Sequence, residues 1–155
     1  MYDPLLEIVL LTPEIPHNAG AVGRTCVAVG ARLWFVRPLG FQLTDRNLKR
    51  AGLDYWPHLL TETVDDWAAL EERLQDRRFW YFTKKATREY TDVTYEKGDV
   101  LVFGSESQGL PPSLLAENPD SSLRIPIRPE TRSLNLSVSA GIAAFEARRQ
   151  LISGK

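Results

Sequence analysis

The stretch Leu6–Val36, LEIVLLTPEIPHNAGAVGRTCVAVGARLWFV, decides the fold. Leu6–Leu11 is a short apolar run of strand length, as expected of a strand buried on both faces of a sheet. Pro13 and Pro16 stop it, because neither nitrogen can donate to a ladder. From Asn18 the pattern turns helical (NAGAVGRTCVAVGA), with Asn18 placed as an N-cap and Gly30 as a C-terminal stop. Leu33–Val36 is a second strand, ended by Pro38.

The same alternation continues outward. Asp45 is placed to cap a short helix through Ala51, ahead of Gly52. Thr63 with Asp66 resembles a capping box for a helix near Val64–Leu74, whose apolar residues Val64, Trp67, Leu70 and Leu74 recur at helical spacing. Phe79–Phe82 (FWYF) and Val100–Phe103 (VLVF) read as strands, the latter running straight into Gly104. Pro111 and Pro112 suit the first turn of a short helix through Glu117. Leu123–Ile127 (LRIPI) is a fifth strand, with Pro126 confining part of it to an edge or an end. A last helix covers about Asn135–Ile152, with Leu136, Ile142, Phe145 and Leu151 among its apolar positions. Strands rich in Val, Leu and Ile separated by helices predict an α/β protein with a mostly parallel sheet flanked by helices. With no repeat, low-complexity tract or linker, the expectation is one domain over residues 1–155.

Composition narrows the function. The 155 residues are 43% hydrophobic and 25% charged, which suits a globular domain with one sizeable core. The net charge of −1 weighs against a non-specific nucleic-acid binder, for which a basic domain is expected, but leaves room for local basic patches. Cys26 is the one cysteine and His17 and His58 are the two histidines, so no intrachain disulfide and no zinc-ligand spacing exist. No metal is expected, and a reducing compartment fits. The amino terminus is acidic before its apolar run, unlike a signal peptide. No apolar stretch approaches the ~18 residues of a membrane span. These features predict a soluble cytoplasmic protein without a membrane partner.

Three segments carry more Gly, polar and charged residues than strand-to-helix turns require: PEIPHNAGAVGRTC, FGSESQGLPPSLL and IPIRPETRSLNLSVSAGIAAFE. Each follows a strand, and in open parallel sheets ligands bind beyond the carboxyl ends of strands. Three such loops on one edge build one site. It is not a dinucleotide site, since the nearest approach to G-x-G-x-x-G is Gly20-x-x-Gly23, separated from its strand by two prolines. Nor is it a P-loop, because Gly-Lys-Ser/Thr occurs nowhere.

In this order the three segments resemble the three motifs of the SPOUT class of RNA methyltransferases. Residues 6–152 resemble the TrmL-like tRNA (cytidine/uridine) 2′-O-methyltransferase family. The stretches that carry the likeness are PEIPHNAGAVGRTC, LGFQLTDRNLKRAGLDYW, VFGSESQGLP and IPIRPETRSLNLSVSAG. The resemblance implies a trefoil knot in the carboxy-terminal half, a homodimer, and S-adenosylmethionine bound in a bent form at the knot. It also implies methylation of the ribose of the tRNA wobble nucleotide. The knot comes from the resemblance alone, since threaded chains are rare.

By the same resemblance, Phe82, Gly104, Ile125 and Ser133 stand at cofactor-contacting positions, with Leu134 and Asn135 in the same turn. Core packing alone would also explain Phe82 and Ile125, and a tight turn Gly104. The run Gly104–Pro111 is more elaborate than a turn needs, which favours function. Arg24 takes the family's catalytic position. An arginine with pKa above ~12 is a poor general base, so two readings stand: stabilisation of the nascent alkoxide, or proton removal shared with a phosphate or water. Asn18 is either a helix cap or a neighbour of Arg24 in the site. Glu106 either braces the site by pairing with an arginine or is an exposed loop carboxylate. Ser137 orients substrate or extends the helix start. His17 has a pKa near neutrality in its favour, but the family carries other residues there, so it is placed at the periphery.

RNA contact needs local positive charge. Arg46, Lys49 and Arg50, spaced i, i+3, i+4, put a basic face on the short helix. Arg124, Arg128 and Arg132 form a second cluster, and Lys84, Lys85 and Arg88 a third, with Asp65, Asp66, Glu71 and Glu72 elsewhere. Arg46, Lys49, Arg50, Arg128 and Arg132 are the expected contacts to the tRNA anticodon region. Tyr55 or Trp56 stacks on a base or packs in the core. The small residues Ala140, Gly141, Ala143 and Ala144 suit close packing against a second subunit or within the chain itself. Two departures bear on substrate choice: Val138 stands where the family often has asparagine, and Phe145 where it often has tyrosine. The alternatives are ribose methylation at another tRNA or rRNA position, and a catalytically weak RNA-binding module of the same fold. A nucleotide-binding protein of other chemistry is disfavoured by the missing phosphate motifs.

Overall fold

In chain order the elements are β1 (Leu6–Leu11), α1 (Pro16–Val29), β2 (Ala31–Val36), α2 (Arg46–Arg50), β3 (Thr61–Val64), α3 (Trp67–Arg73), β4 (Phe79–Phe82), β5 (Arg88–Glu89), β6 (Val100–Phe103), α4 (Pro112–Glu117), β7 (Ser122–Arg124) and α5 (Leu136–Ser153). The computed structural model describes residues 3–44, 46–50 and 54–153. Asp45, Ala51 and Gly52, expected to bound the short helix, lie outside the described residues, as does the side chain of Lys49.

The strands form one sheet in the order β3-β2-β1-β6-β4-β7-β5, and every pairing is parallel. Strand β1 lies inside it, buried along its length, between β2 and β6. Its residues alternate between the two faces. Leu6, Ile8 and Leu10 meet α1, α2 and α5, while Val9 and Leu11 meet α3 and α4. This is why the stretch is apolar on both faces, with Glu7 its one charged residue. Leu6, Ile8, Val9 and Leu10 have no solvent exposure, and each such side chain contributes about 1.5–3 kcal/mol by burial.

The α/β class and parallel sheet match the sequence expectation, but several boundaries differ. Val64, expected to open a helix, instead ends β3 on the sheet edge, whose residues Thr61–Val64 pair with Leu33–Val36. Val64 shares an apolar cluster with Leu70 and Leu74, so its helical spacing is a coincidence of two elements packed on one core. The cap of α3 is Asp66, which accepts from the Ala69 amide at 2.9 Å; Thr63 is not part of it. Strand β7 is shorter than Leu123–Ile127 and ends before Pro126. The two-residue β5, which pairs with β7, carries no apolar pattern and was not expected. Helix α1 begins at Pro16, so Asn18 lies inside it rather than at its cap. In α5, Ala140, Ala143, Ala144 and Ala147 are buried within the chain itself, and an added Cβ at Gly141 would lie 3.8 Å from Thr25 Oγ1 of α1. The small-residue stripe therefore serves the packing of α5 on α1 rather than a subunit contact.

Two carboxylates are buried near the amino-terminal ends of the strands. Glu7 accepts from Arg32 Nε at 2.8 Å and Trp34 Nε1 at 2.7 Å, and Asp99 from Arg78 Nε at 3.0 Å and Trp80 Nε1 at 2.9 Å. A buried charge must be ringed by donors, and these are. They anchor the sheet at the end away from the loops described next.

Cys26, fully buried in α1, has its thiol pushed far up by burial, with Glu7 acting in the same direction. A raised thiol pKa leaves no thiolate to react. Iodoacetamide at mildly alkaline pH should therefore label Cys26 only as fast as the chain unfolds, and at once in guanidinium chloride. Rapid labelling of the native protein would contradict the packing.

Candidate active site

Strands β1, β6, β4 and β7 are consecutive neighbours, so the loops after them lie side by side at one edge of the sheet. They enclose a cavity of about 460 Å³. Its apolar side is made by Phe82, Phe103, Leu110, Ile125 and Leu134, and its polar side by Asn18, Glu106, Asn135 and loop backbone. Phe82 and Phe103 stack with centroids 4.8 Å apart, which fixes one wall. All six expected cofactor positions, Phe82, Gly104, Ile125, Ser133, Leu134 and Asn135, line this one cavity.

Gly104 is the tightest point. The loop after β6 folds back on itself, with Ser105 and Gly109 forming an isolated bridge and the Gly109 amide donating to Ser105 O at 2.9 Å. A Cβ on Gly104 would sit 2.1 Å from the carbonyl carbon of Gly109 and 2.3 Å from the Leu110 nitrogen. Gly109 itself has φ +69°, the left-handed region that glycine enters without strain. Two glycines thus let backbone take the place of a side chain beside the cavity.

One chain of hydrogen bonds joins the three loops. Glu106 Oε1 accepts from the Glu14 amide at 2.8 Å, and Oε2 from the Ile15 amide at 2.9 Å and Asn18 Nδ2 at 3.3 Å. Asn18 Oδ1 accepts from Asn135 Nδ2 at 3.1 Å. Asn135 Oδ1 accepts from the Ser137 amide at 2.8 Å, from Ser137 Oγ at 2.5 Å and from the Val138 amide at 3.3 Å. Asn135 is therefore the cap of α5, and Ser137 helps hold it. Asn18 links the second loop to the third. Glu106 pairs with amides and with Asn18, not with an arginine as one reading of it expected.

Arg24 stands apart. It is exposed on α1, outside the cavity lining, with its guanidinium carbon 5.8 Å from the centroid of the Tyr55 ring. Tyr55 is buried, donates to the Gly20 carbonyl, and has its hydroxyl pushed up to about 12 by burial, against the opposing pull of Arg24. Of the two aromatic candidates for stacking on a base, Tyr55 is thus a core residue, and Trp56 is half-buried against the same core. The single chain brings Asn18, Glu106, Asn135 and Ser137 together but leaves Arg24 outside that group.

The basic residues divide. Arg46 and Arg50 are exposed on α2. Arg128 pairs with Glu130 at 3.2 Å. Lys84 and Lys85 line the cavity, and Lys84 Nζ donates to the Arg132 carbonyl at 3.2 Å. The cavity-facing role of these two lysines was not singled out from the sequence, nor were Glu14 and Ser107. Glu14 accepts from the Ser107 amide and hydroxyl at 2.8 and 2.9 Å across 93 residues of chain, a pairing with no local signal. Among the described residues no cluster of three His, Cys, Asp or Glu has the geometry of a metal site, and no helix is long and apolar enough to cross a membrane.

A family model described as SpoU rRNA Methylase matches residues 5–145. A tRNA (cytidine(34)-2′-O)-methyltransferase of Methylovorus glucosotrophus strain SIP3-4 is 42% identical over 147 residues, covering 94% of this chain and 96% of that relative. A solved structure reported for the 2-OH methylation of C/U34 on tRNA superposes with a TM-score of 0.91 at 45% identity, covering 97% of both chains. The SpoU methyltransferase AviRb from Streptomyces viridochromogenes, solved with AdoMet, shares the fold at a TM-score of 0.88 and 21% identity, over all of this chain and 61% of that one.

Proposed function

Because the chain belongs to the SpoU rRNA Methylase family, we propose that it methylates the ribose 2′-hydroxyl of the tRNA wobble nucleotide, a cytidine or uridine, from S-adenosylmethionine. The observation that carries this reading is the single cavity in which the loops after β1, β6, β4 and β7 meet, in a chain alike over nearly its full length to enzymes of that activity.

The cavity fits the cofactor. Its volume of about 460 Å³ is within the usual ~300–1,000 Å³ of small-molecule sites, and its apolar wall with a few polar groups is what an adenosine needs. At Gly104, where a Cβ would strike the backbone of Gly109 and Leu110, the loop packs tightly beside the cavity, and backbone groups rather than a side chain are there to meet the polar edges of a base. Phe82, Ile125 and Leu134 would hold the adenine, and Gly104, Ser133 and Asn135 the polar edges. When bound, S-adenosylmethionine supplies an electrophilic methyl group on sulfur. The protein's part is then to align the hydroxyl oxygen and offset its developing charge. Asn18, held between Glu106 and Asn135, is placed to orient the ribose, with Ser137 beside it. Arg24 is proposed as the charge that stabilises the alkoxide.

Arg24 lies outside the lining of its own chain's cavity, a placement that suits a substrate held between two subunits. Val138, Phe145 and Ile152, spaced seven residues apart on α5, are 48%, 49% and 61% exposed. Side chains at that spacing share one helix face. This apolar stripe supports a homodimer, and the two departures from the family pattern, Val138 and Phe145, are part of it. Arg46, Lys49, Arg50, Arg128 and Arg132 are proposed to contact the anticodon arm, with Lys84 and Lys85 at the cavity. One catalytic domain, a trefoil-knotted carboxy-terminal half and a cytoplasmic location, where tRNA is found, complete the reading.

Labelled S-adenosylmethionine supplied with unmodified tRNA and, separately, ribosomal RNA tests the substrate class. Transfer to tRNA is expected. Transfer to ribosomal RNA alone would replace the substrate, and cofactor binding without transfer to either would leave an RNA-binding module.

A further inference from the structure

Two carboxylates cross at the start of α1 with no cation within ion-pair distance of either among the described residues. Glu106 reaches back 91 residues or more to take the amides of Glu14 and Ile15, while Glu14 reaches forward to take the amide and hydroxyl of Ser107. The exchange is reciprocal: each glutamate binds the backbone beside the other. The first amides of a helix lack intrahelical partners, and an anion is favoured there by the helix dipole. Ile15, the N-cap of α1, has no side chain to satisfy them, and Pro16 follows it. From the loop after β6, Glu106 supplies an acceptor for the N-cap amide of Ile15 and for the Glu14 amide before it.

Glu14 is fixed from a third side as well. The Gly40 amide donates to Pro13 O at 2.9 Å, and a Cβ on Gly40 would lie 2.6 Å from the Glu14 carbonyl oxygen. Gly40 belongs to the loop that leads from β2 towards the basic helix α2. Thr12, two residues before Glu14, holds φ +51°, a conformation that costs a β-branched residue energy and persists only where its surroundings impose it. Three loops, those after β1, β2 and β6, therefore converge on the Glu14 backbone and side chain.

We propose that Glu14 is a positioning residue for methyl transfer: with Glu106 and Ser107 it clasps the loop that cradles the cofactor to the amino terminus of the helix that carries Asn18. Cofactor loop and substrate-orienting helix are thereby held as one unit. The inference rests on the methyltransferase reading for its kinetic part, but the clasp also has a readout that needs no RNA. A misplacement of about an ångström costs on the order of 10²-fold in rate when alignment carries the catalysis.

Glu14→Ala is expected to lower kcat by roughly 10- to 100-fold and to weaken S-adenosylmethionine binding by about 10-fold, with KM for tRNA changed less than ~2-fold. Glu14→Gln keeps an acceptor for the Ser107 amide and should restore most of the turnover. Ser107→Ala removes one bond of the clasp, and the double variant Glu14→Ala/Ser107→Ala should be no worse than Glu14→Ala alone, because both changes break the same link. Calorimetric titration with S-adenosylmethionine reads the cofactor effect without any RNA, so failure of the tRNA assignment leaves it intact. If Glu14→Ala does not fold, the single hydroxyl deletion in Ser107→Ala and the Gln variant carry the test. The proposal is overturned if the two single effects multiply in the double variant. It is equally overturned if thermal stability falls while kcat and cofactor affinity hold, or if KM for tRNA takes the whole effect.

Discussion

Gly104→Ala is expected to weaken S-adenosylmethionine binding by about 100-fold or more while leaving a folded protein. The new methyl group would lie 2.1 Å from the Gly109 carbonyl carbon and 2.3 Å from the Leu110 nitrogen, both backbone atoms that no rotamer change can move. Overpacking of this kind costs about 3 kcal/mol or more when the backbone must shift, which is a factor of ~100 in affinity if the loop yields. The loop is the part that yields, because β6 beneath it is fully buried and paired on both sides, with β1 and with β4. Isothermal titration reads the affinity, and far-ultraviolet circular dichroism shows whether the sheet survives. Affinity within a few-fold of the parent would mean that the Gly104 loop does not cradle the cofactor.

Arg24→Ala is expected to lose on the order of 10²–10³-fold in kcat with cofactor affinity unchanged, the size of effect seen when one preorganised charge is removed from a developing oxyanion. The separation follows from geometry. Arg24 lies outside the cavity and over Tyr55, which is not among the residues lining it. Its place outside its own cavity also predicts subunit complementation. Mixed dimers of Arg24→Ala with Gly104→Ala should regain activity, because one of the two sites then combines an intact cofactor loop with an intact arginine. Full activity in Arg24→Ala would remove it from the mechanism. No regain in proven mixed dimers would return Arg24 to its own subunit's site.

The sheet and the cavity were legible in the sequence for different reasons. Parallel strands buried on both faces leave largely apolar runs, so LEIVLL, LWFV, FWYF and VLVF announced themselves. Strand β3 did not. It lies on an edge, three of its four residues are polar, and Val64 falls at helical spacing from Trp67 only because both elements face one cluster. The expected cofactor positions followed from the family likeness, and all six line one cavity. Asn18 was read as a possible cap because asparagine before a helical pattern usually is one. The helix instead begins two residues earlier at Pro16, and the Asn18 amide is spent on Glu106 and Asn135, far away in sequence. The same distance hid Glu14 and Ser107, since a clasp across 93 residues leaves no local pattern. The alanine stripe of α5 has the same spacing whether it meets a subunit or α1, and only the packing shows that it meets α1.

The proposed function turns on whether the methyl group goes to the ribose of the first anticodon nucleotide. It is tested most directly with two tRNA transcripts that differ only at position 34, one carrying a ribonucleotide and the other its 2′-deoxy counterpart. Both are incubated with the protein and methyl-labelled S-adenosylmethionine, and the products are mapped by nuclease digestion and mass spectrometry. Label is expected on the ribose at position 34 of the first transcript and none on the second. Equal labelling of the deoxy transcript would contradict it, because the acceptor oxygen would then lie elsewhere.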